Sequence, residues 1–154
     1  MARESSVGGL SRRRLLTVAA GCATWTARSF ARASADDDAA KLIEHLTGKT
    51  PTPSDRVRIV MPAVFPNGYT VPLRLDVDSP MTETDHVRYI RVLAPQNPLI
   101  EVATFHFKPE RSQARASTRI RLAVPQFVLA VAEMNDGALL LSKTWVDVAT
   151  NGCK

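Results

Sequence analysis

The chain has 154 residues, of which 20 are basic and 15 acidic, and its formal net charge is +5. Its first 35 residues contain six arginines and one glutamate, so residues 36–154 hold 14 basic and 14 acidic residues. The positive excess therefore belongs to the N-terminal segment. The remainder has no basic run with interleaved aromatic residues, so the charge is no argument for nucleic-acid binding, and none is predicted. The length suits one domain.

The N-terminal segment has the three parts of an export signal. Arg12-Arg13-Arg14 precedes an apolar run over residues 15–26, and Ala33-Ser34-Ala35 supplies a small-residue cleavage site. This order predicts a twin-arginine signal peptide over residues 1–35 and export of the folded protein to a bacterial periplasm. A lipoprotein signal ending at Cys22 is the alternative, and it would anchor the protein to a membrane through that cysteine.

A short helix is predicted at the start of the mature chain. Three aspartates, which favour the positive end of the helix dipole, precede an apolar stripe with helical spacing: Ala39, Leu42, Ile43 and Leu46. Thr47-Gly48 ends the pattern. The aspartates are interpreted as a solvated helix start, with a metal site as the disfavoured alternative. Residues 49–56, with two prolines, are interpreted as a linker.

From Val57 onward the pattern changes to that of short strands. The clearest alternation is Val71-Pro72-Leu73-Arg74-Leu75-Asp76-Val77, which is typical of a strand with one buried face. Asn135-Asp136-Gly137 is a hairpin signal. The predicted strands cover residues 57–61, 71–77, 87–93, 99–108, 116–122, 127–133 and 139–148.

Seven strands after one helix predict an all-β fold, an immunoglobulin-like antiparallel β-sandwich over residues 36–148. The run over residues 127–133 is almost continuously apolar, as expected for a central strand that is buried on both faces. The predicted core consists of Val71, Leu73, Leu75, Val77, Phe105, Ile120, Leu122, Val128, Ala130, Val131 and Val146.

The sequence contains no recognisable enzyme motif. His86 beside Asp85 is interpreted as a surface turn, and His106 as an ordinary strand residue. Arg115, Arg119 and Arg121 line one face of a strand, and are interpreted as a solvated face, with an anion-attracting or partner-contacting face as the alternative. No catalytic residue, metal or cofactor is predicted.

The residue that stands out is Cys153, in Asn151-Gly152-Cys153-Lys154 beyond the last predicted strand. Once residues 1–35 are removed it is the single cysteine, and a lone cysteine in an exported protein indicates an intermolecular disulfide or a reactive thiol. Residues 149–154 are predicted to form an arm. Cys153 is five positions after Val148, so an extended arm reaches roughly 17 Å.

Four segments carry a resemblance to a known family. They are Val71–Thr82, Ala103–Phe107, Ala116–Ala123 and Ala130–Gly137. In order and spacing these segments are similar to SoxY, the carrier subunit of the sulfur-oxidation complex SoxYZ, over about residues 36–154.

The resemblance implies a sandwich that pairs with a SoxZ-like subunit and a C-terminal cysteine, Cys153 here, that carries sulfur intermediates. It also implies partner enzymes: SoxAX-like haem proteins that load thiosulfate, SoxB-like hydrolases that release sulfate, and a sulfur dehydrogenase. The carrier itself is not an enzyme. A sandwich edge together with the apolar residues Phe105, Phe107 and Trp145 is expected to supply the pairing surface, and the sequence does not identify which of them form it.

The arm departs from the family's Gly-Gly-Cys-Gly-Gly pattern. Gly152 and Cys153 match it, whereas Asn151 replaces the earlier glycine and Lys154 stands where two glycines are expected. Asparagine tolerates left-handed backbone conformations, so some arm flexibility is retained. The alternatives are a paralogue that serves another sulfur pathway, and a non-catalytic subunit that Cys153 joins to its partner by a disulfide.

Overall fold

The computed structural model describes residues 38–149. It contains one helix, α1, over residues 38–47. Nine strands follow: β1 (Thr52–Pro53), β2 (Val57–Val60), β3 (Val64–Phe65), β4 (Val71–Val77), β5 (Val87–Leu93), β6 (Glu101–His106), β7 (Arg115–Ile120), β8 (Gln126–Met134) and β9 (Leu139–Val148). The predicted signal peptide and residues 150–154 of the predicted arm lie outside the described residues.

The strands form two sheets. The large sheet has the order β1-β9-β8-β5-β6, and β3 also pairs with β9; the small sheet has the order β2-β4-β7. The small sheet is antiparallel, as are the pairs that β8 makes with β5 and β9, whereas β1 and β3 run parallel to β9. The predicted two-sheet sandwich is confirmed, and each of the seven predicted strands is present.

The main core lies between the two sheets. Alternating residues of β4 point inward, so Val71, Leu73, Leu75 and Val77 are all buried. Ten of the eleven predicted core residues are buried, and Phe105 at the sheet edge is partly buried. Burial of these apolar side chains is the main force that holds the sheets together.

A second core lies on the other face of the large sheet. Ile43 of α1 is fully buried and packs with Leu129 and Val131 of β8 and Leu141 of β9. The helix therefore covers one face of β8 while the small sheet covers the other, which explains its continuous apolar run. Val131, predicted for the sandwich interior, belongs to this second core.

The helix ends where the sequence indicates. Gly48 has a φ of 70°, a left-handed conformation that costs glycine little, and its N–H donates to the Glu44 carbonyl at 2.7 Å. The Thr47 hydroxyl donates to the Ile43 carbonyl at 2.7 Å. Leu46, included in the predicted apolar stripe, is 43% exposed, because it lies in the last turn, past the residues that contact the sheet.

Two short strands and several boundaries differ from the predictions. The predicted linker over residues 49–56 contains β1, in which Thr52 and Pro53 pair with Leu140 and Leu141. β3 was not predicted. β6 is shorter than its predicted range of residues 99–108, because Leu99 and Ile100 belong to the bend that contains Pro98 and the strand ends before the turn at Pro109.

Candidate functional site

The strand that leads to the predicted arm is held on both sides. β9 pairs with β8 from Leu139 to Val146. On its other side it pairs with β1 near its start and with β3 at its end, where Phe65 lies opposite Val148. The C-terminal end of β9 is therefore held in the sheet by pairing with β8 and β3.

The described chain leaves the sheet at Ala149. Val148 is buried, and the Ala149 N–H donates to the Phe65 carbonyl at 3.4 Å. The predicted site residues Asn151, Gly152, Cys153 and Lys154 follow immediately and lie outside the described residues. Cys153 is four positions after Ala149, so the chain length limits the distance between their Cα atoms to about 14 Å.

A buried glutamine organises the same end of the sandwich. Gln126, the first residue of β8, is fully buried and lies opposite Val146 of β9. Its side-chain N–H donates to Asn97 Oδ1 at 3.0 Å, and its carbonyl oxygen accepts the Gln96 N–H at 2.9 Å. The glutamine therefore ties the turn between β5 and β6 to the strand beside the arm.

Asn97 extends this network to the chain that follows β7. Its amide nitrogen donates to the Arg121 carbonyl at 2.7 Å, and its side-chain oxygen accepts the Ala123 N–H at 2.9 Å. The sequence Pro95-Gln96-Asn97-Pro98 is typical of a turn. It gave no signal for these partners, because they lie more than twenty positions away along the chain.

The histidine candidates have ordinary surroundings. His86 Nδ1 donates to the Thr82 carbonyl at 2.9 Å, while the Asp85 carboxylate lies 3.9 Å from Arg56 Nη2. His106 is exposed, with its ring 5.9 Å from that of Tyr89. Within residues 38–149, no cluster of three metal-ligating side chains occurs, and no helix is long and apolar enough to cross a bilayer.

One carboxylate is buried. Glu133 of β8 accepts a hydrogen bond from the Tyr89 hydroxyl and one from Arg88 Nη1 at 2.8 Å, and Lys49 Nζ lies 3.6 Å away. The pKa of Tyr89 is raised, first because the hydroxyl is partly buried and then because it donates to the negatively charged Glu133. This cluster joins β5, β8 and the segment after α1.

The aromatic residues expected at a pairing surface do not form one surface. Phe105 and Phe107 pack against the main core at the β6 edge. Trp145 is 47% exposed and meets Phe127 edge to face at 5.0 Å between ring centroids. Trp145 alternates with the buried Val146, so it lies on the opposite face of the large sheet, three strands away from β6.

The fold and the anchored end of β9 define a class: two-sheet β-sandwich proteins with a helix across the larger sheet. A family model described as sulfur oxidation protein SoxY matches residues 43–153. The chain belongs to this SoxY family, as the four sequence segments indicated. The match extends to Cys153.

Solved structures agree with this assignment. The sulfur carrier protein SoxY from Chlorobium limicola f thiosulfatophilum is 28% identical, with a TM-score of 0.58 over 76% of this chain and 98% of that one. No curated protein sequence matches the chain.

Superoxide reductases share the fold. A variant of the enzyme from Ignicoccus hospitalis is 15% identical, with a TM-score of 0.59. The alignment covers 67% of this chain and 98% of the superoxide reductase chain. A putative superoxide reductase from Thermotoga maritima is 18% identical, with a TM-score of 0.56. Here the alignment covers 64% of this chain and 94% of the other chain. At these identities the likeness concerns the fold alone.

Proposed function

We propose that this protein is a periplasmic covalent carrier of sulfur intermediates, with its cargo attached to the Cys153 thiol. The observation that carries the proposal is the extent of the family match, which runs from α1 through the sandwich to Cys153 itself. The similar Chlorobium structure is that of a sulfur carrier protein. The fixed end of β9 supports the proposal, because it confines the thiol to a short radius around Ala149.

The loading chemistry is oxidative. The Cys153 sulfur forms a bond to the terminal sulfur of thiosulfate, the thiol loses its proton, and two electrons pass to a haem-containing partner enzyme. The product is a cysteine S-thiosulfonate. Water then cleaves the bond between its two outer sulfur atoms in a hydrolase, which releases sulfate and a proton and leaves a persulfide on Cys153. The carrier supplies the nucleophilic thiolate and its position, and the partner enzymes supply the catalytic groups.

The partners of this carrier are a SoxZ-like sandwich subunit and SoxAX-, SoxB- and sulfur-dehydrogenase-like enzymes. Export by the twin-arginine pathway, with cleavage after Ala35, brings the carrier to their compartment. Asn151, Gly152 and Lys154 complete the arm. Lys154 adds bulk and positive charge where the family has glycine. The arm therefore fits partner enzymes whose active-site channel has a wider or more acidic entrance.

Intact mass spectrometry tests the proposal. The full chain is expressed in a thiosulfate-oxidising bacterium, with and without thiosulfate, and isolated from the periplasm without reductant. We expect a chain that begins at Asp36 and gains the mass of a sulfur adduct only with thiosulfate. The adduct is removed by dithiothreitol and is absent from Cys153→Ser.

Other masses contradict the proposal. An unmodified mass under both conditions rejects the carrier function. A reducible increase equal to a second polypeptide supports the disulfide-linked subunit instead. A lipid-sized mass increase on Cys22 would show that the protein is anchored to a membrane and is not a soluble periplasmic carrier.

A further inference from the structure

The outer face of the small sheet is exposed and unusually rich in arginine. Arg58 of β2, Arg74 of β4, and Arg115 and Arg119 of β7 all have exposed side chains. Each alternates with inward-facing residues of its own strand, so the four lie on the same side of the sheet. We call these four residues the arginine face.

The strand register brings the four charges together around Arg74. Arg74 lies opposite Ser117, which places it diagonally between Arg115 and Arg119. On the other side Arg74 lies opposite Val60, diagonal to Arg58. Diagonal neighbours in an antiparallel sheet are about 7–8 Å apart. Arginines therefore occupy three of the positions diagonal to Arg74 on the two neighbouring strands.

Negative charge compensates only one end of the arginine face. The Asp76 carboxylate lies 3.1 Å from Arg115 Nε and occupies the register position between Arg58 and Arg115. Asp78, just past the end of β4, adds a second carboxylate at that end. Among residues 38–149, neither Arg74 nor Arg119 has a carboxylate within 4.0 Å. We call Arg74 and Arg119 the uncompensated pair because neither forms an ion pair within the described chain, although Glu101 lines the same cleft as Arg119.

Residues 38–149 as a whole are almost neutral, so the excess of positive charge is a local property of the arginine face. Residues 38–149 contain 13 basic and 12 acidic residues, whereas the strand residues of the arginine face hold four basic residues and Asp76. Like charges on neighbouring strands destabilise a sheet. A complementary surface that supplies carboxylates removes this repulsion on binding, and the arginine guanidinium suits carboxylates because it donates two parallel hydrogen bonds.

Arg119 lies toward the end of the sandwich at which β9 ends, and Arg74 lies in the middle of β4, on the side of Arg119 away from that end. Arg119 is one residue before the end of β7. The chain continues to Arg121, whose carbonyl accepts from Asn97, and Asn97 in turn binds Gln126 beside β9. Ala149 is at this same end, and Cys153 follows it by four positions in the sequence, so the chain length limits their Cα separation to about 14 Å.

We propose that Arg74 and Arg119 form the centre of a docking surface for a carboxylate-rich surface on an enzyme that acts on Cys153. The inference rests on the proposed carrier function, which requires that successive enzymes receive the same thiol. Charge complementarity on an open sheet face gives fast, salt-sensitive association. A carrier that exchanges partners needs association of this kind.

The geometry favours a protein surface over a small anion. The guanidinium groups of the arginine face are spread over three strands and are all exposed. The two clefts on this face are open to solvent, and both are lined by Asp76, whose carboxylate disfavours a small anion. Small-molecule sites are instead concave and enclose their ligand.

Binding to poly-L-glutamate tests the docking surface. Arg74→Gln/Arg119→Gln is compared with Lys108→Gln/Arg111→Gln, which removes the same charge from exposed residues in the turn after β6, at the other end of the sandwich. The full exported chain is used throughout, and thermal melting establishes that each variant is folded. We expect Arg74→Gln/Arg119→Gln to weaken binding roughly tenfold at low salt and to flatten its salt dependence. The control double variant should bind as the parent does.

Three results overturn the proposal. Equal losses in the two double variants would show that net charge alone attracts the probe. Displacement of poly-L-glutamate by thiosulfate beyond the effect of sodium chloride at equal ionic strength would show a small-anion site. Loss of probe binding in Cys153→Ser would show that the arm, not the arginine face, binds the probe.

The two proposals fail separately. Poly-L-glutamate binding that depends on Arg74 and Arg119, in a protein that gains no sulfur adduct, supports the docking surface and rejects the carrier function. A sulfur adduct on Cys153, together with equal poly-L-glutamate binding by the two double variants, supports the carrier function and rejects the docking surface.

Discussion

The hydroxyl of Tyr89 donates a hydrogen bond to the buried carboxylate of Glu133. Tyr89 lies opposite Glu133 in the pairing of β5 with β8, so the bond links two neighbouring strands on the outer face of the large sheet. Arg88 and Lys49 supply positive charge to the same carboxylate. A buried carboxylate is costly without such partners, so each of them stabilises the folded state.

Removing the tyrosine hydroxyl should destabilise the protein. Tyr89→Phe leaves one oxygen of Glu133 without its hydrogen-bond donor, and this change typically costs about 1–3 kcal/mol. Urea unfolding measures the loss. Tyr69→Phe is the matched control, because Tyr69 is half-exposed and its hydroxyl removal should leave the unfolding free energy unchanged. Equal effects of the two substitutions would contradict the role of the Tyr89 hydroxyl.

The same bond predicts an alkaline loss of stability. The pKa of Tyr89 is raised in the folded state, by burial and by the hydrogen bond to Glu133. Above the unfolded pKa of about 10, the unfolded chain releases this proton while the folded chain retains it. The unfolding free energy must therefore fall as pH rises above that value.

Urea unfolding between pH 9 and pH 11 (roughly one unit to each side of the tyrosine pKa) measures the slope. The parent should lose more stability than Tyr89→Phe, which lacks the group. Identical slopes would mean that Tyr89 does not contribute to the pH dependence.

The helix should be essential to the stability of the large sheet. Ile43 is fully buried against β8 and β9, so Ile43→Ala should cost about 2–5 kcal/mol through lost burial and a residual cavity. Leu46→Ala, on the exposed last turn of the same helix, is the control, and we expect less than about 1 kcal/mol there. Comparable losses at both positions would show that α1 does not pack as described.

Lys154 should control which enzymes accept the arm. Replacement of Lys154 by two glycines restores the family's small tail, and we expect faster loading by a SoxAX-type enzyme because the obstacle is steric. Lys154→Arg keeps the bulk and the charge and should load as the parent does. Adduct formation against time by mass spectrometry compares the three proteins. No improvement in the Gly-Gly variant would show that the tail is not the obstacle.

Much of the fold could be predicted because its signals are local. Strand alternation over residues 71–77 and the hairpin signal Asn135-Asp136-Gly137 depend on neighbouring residues alone. β1 and β3 had no such signal: each is two residues long and exists because it pairs with β9, more than eighty residues later. The apolar run of β8 predicted burial of both faces but did not identify α1 as the cover.

The candidate site was predictable only in part. Cys153 stands out in the sequence because it is the single cysteine beyond the signal segment. The partners of Gln126 and of Glu133 come from other strands and turns, so no local pattern indicates them. The stripe of Arg115 and Arg119 is visible in the sequence, whereas their position beside Arg74 follows from the register of β4 and β7.

Tandem mass spectrometry of the C-terminal peptide tests the central claim most directly. The protein is taken from cells that are oxidising thiosulfate, its free thiols are alkylated at once, and the peptide that contains Cys153 is sequenced. The carrier function predicts a thiosulfonate or persulfide on the Cys153 sulfur, replaced by the alkylated thiol when thiosulfate is withheld. Cys153 that is fully alkylated under both conditions, or joined by a disulfide to another polypeptide without any sulfur cargo, would contradict the claim.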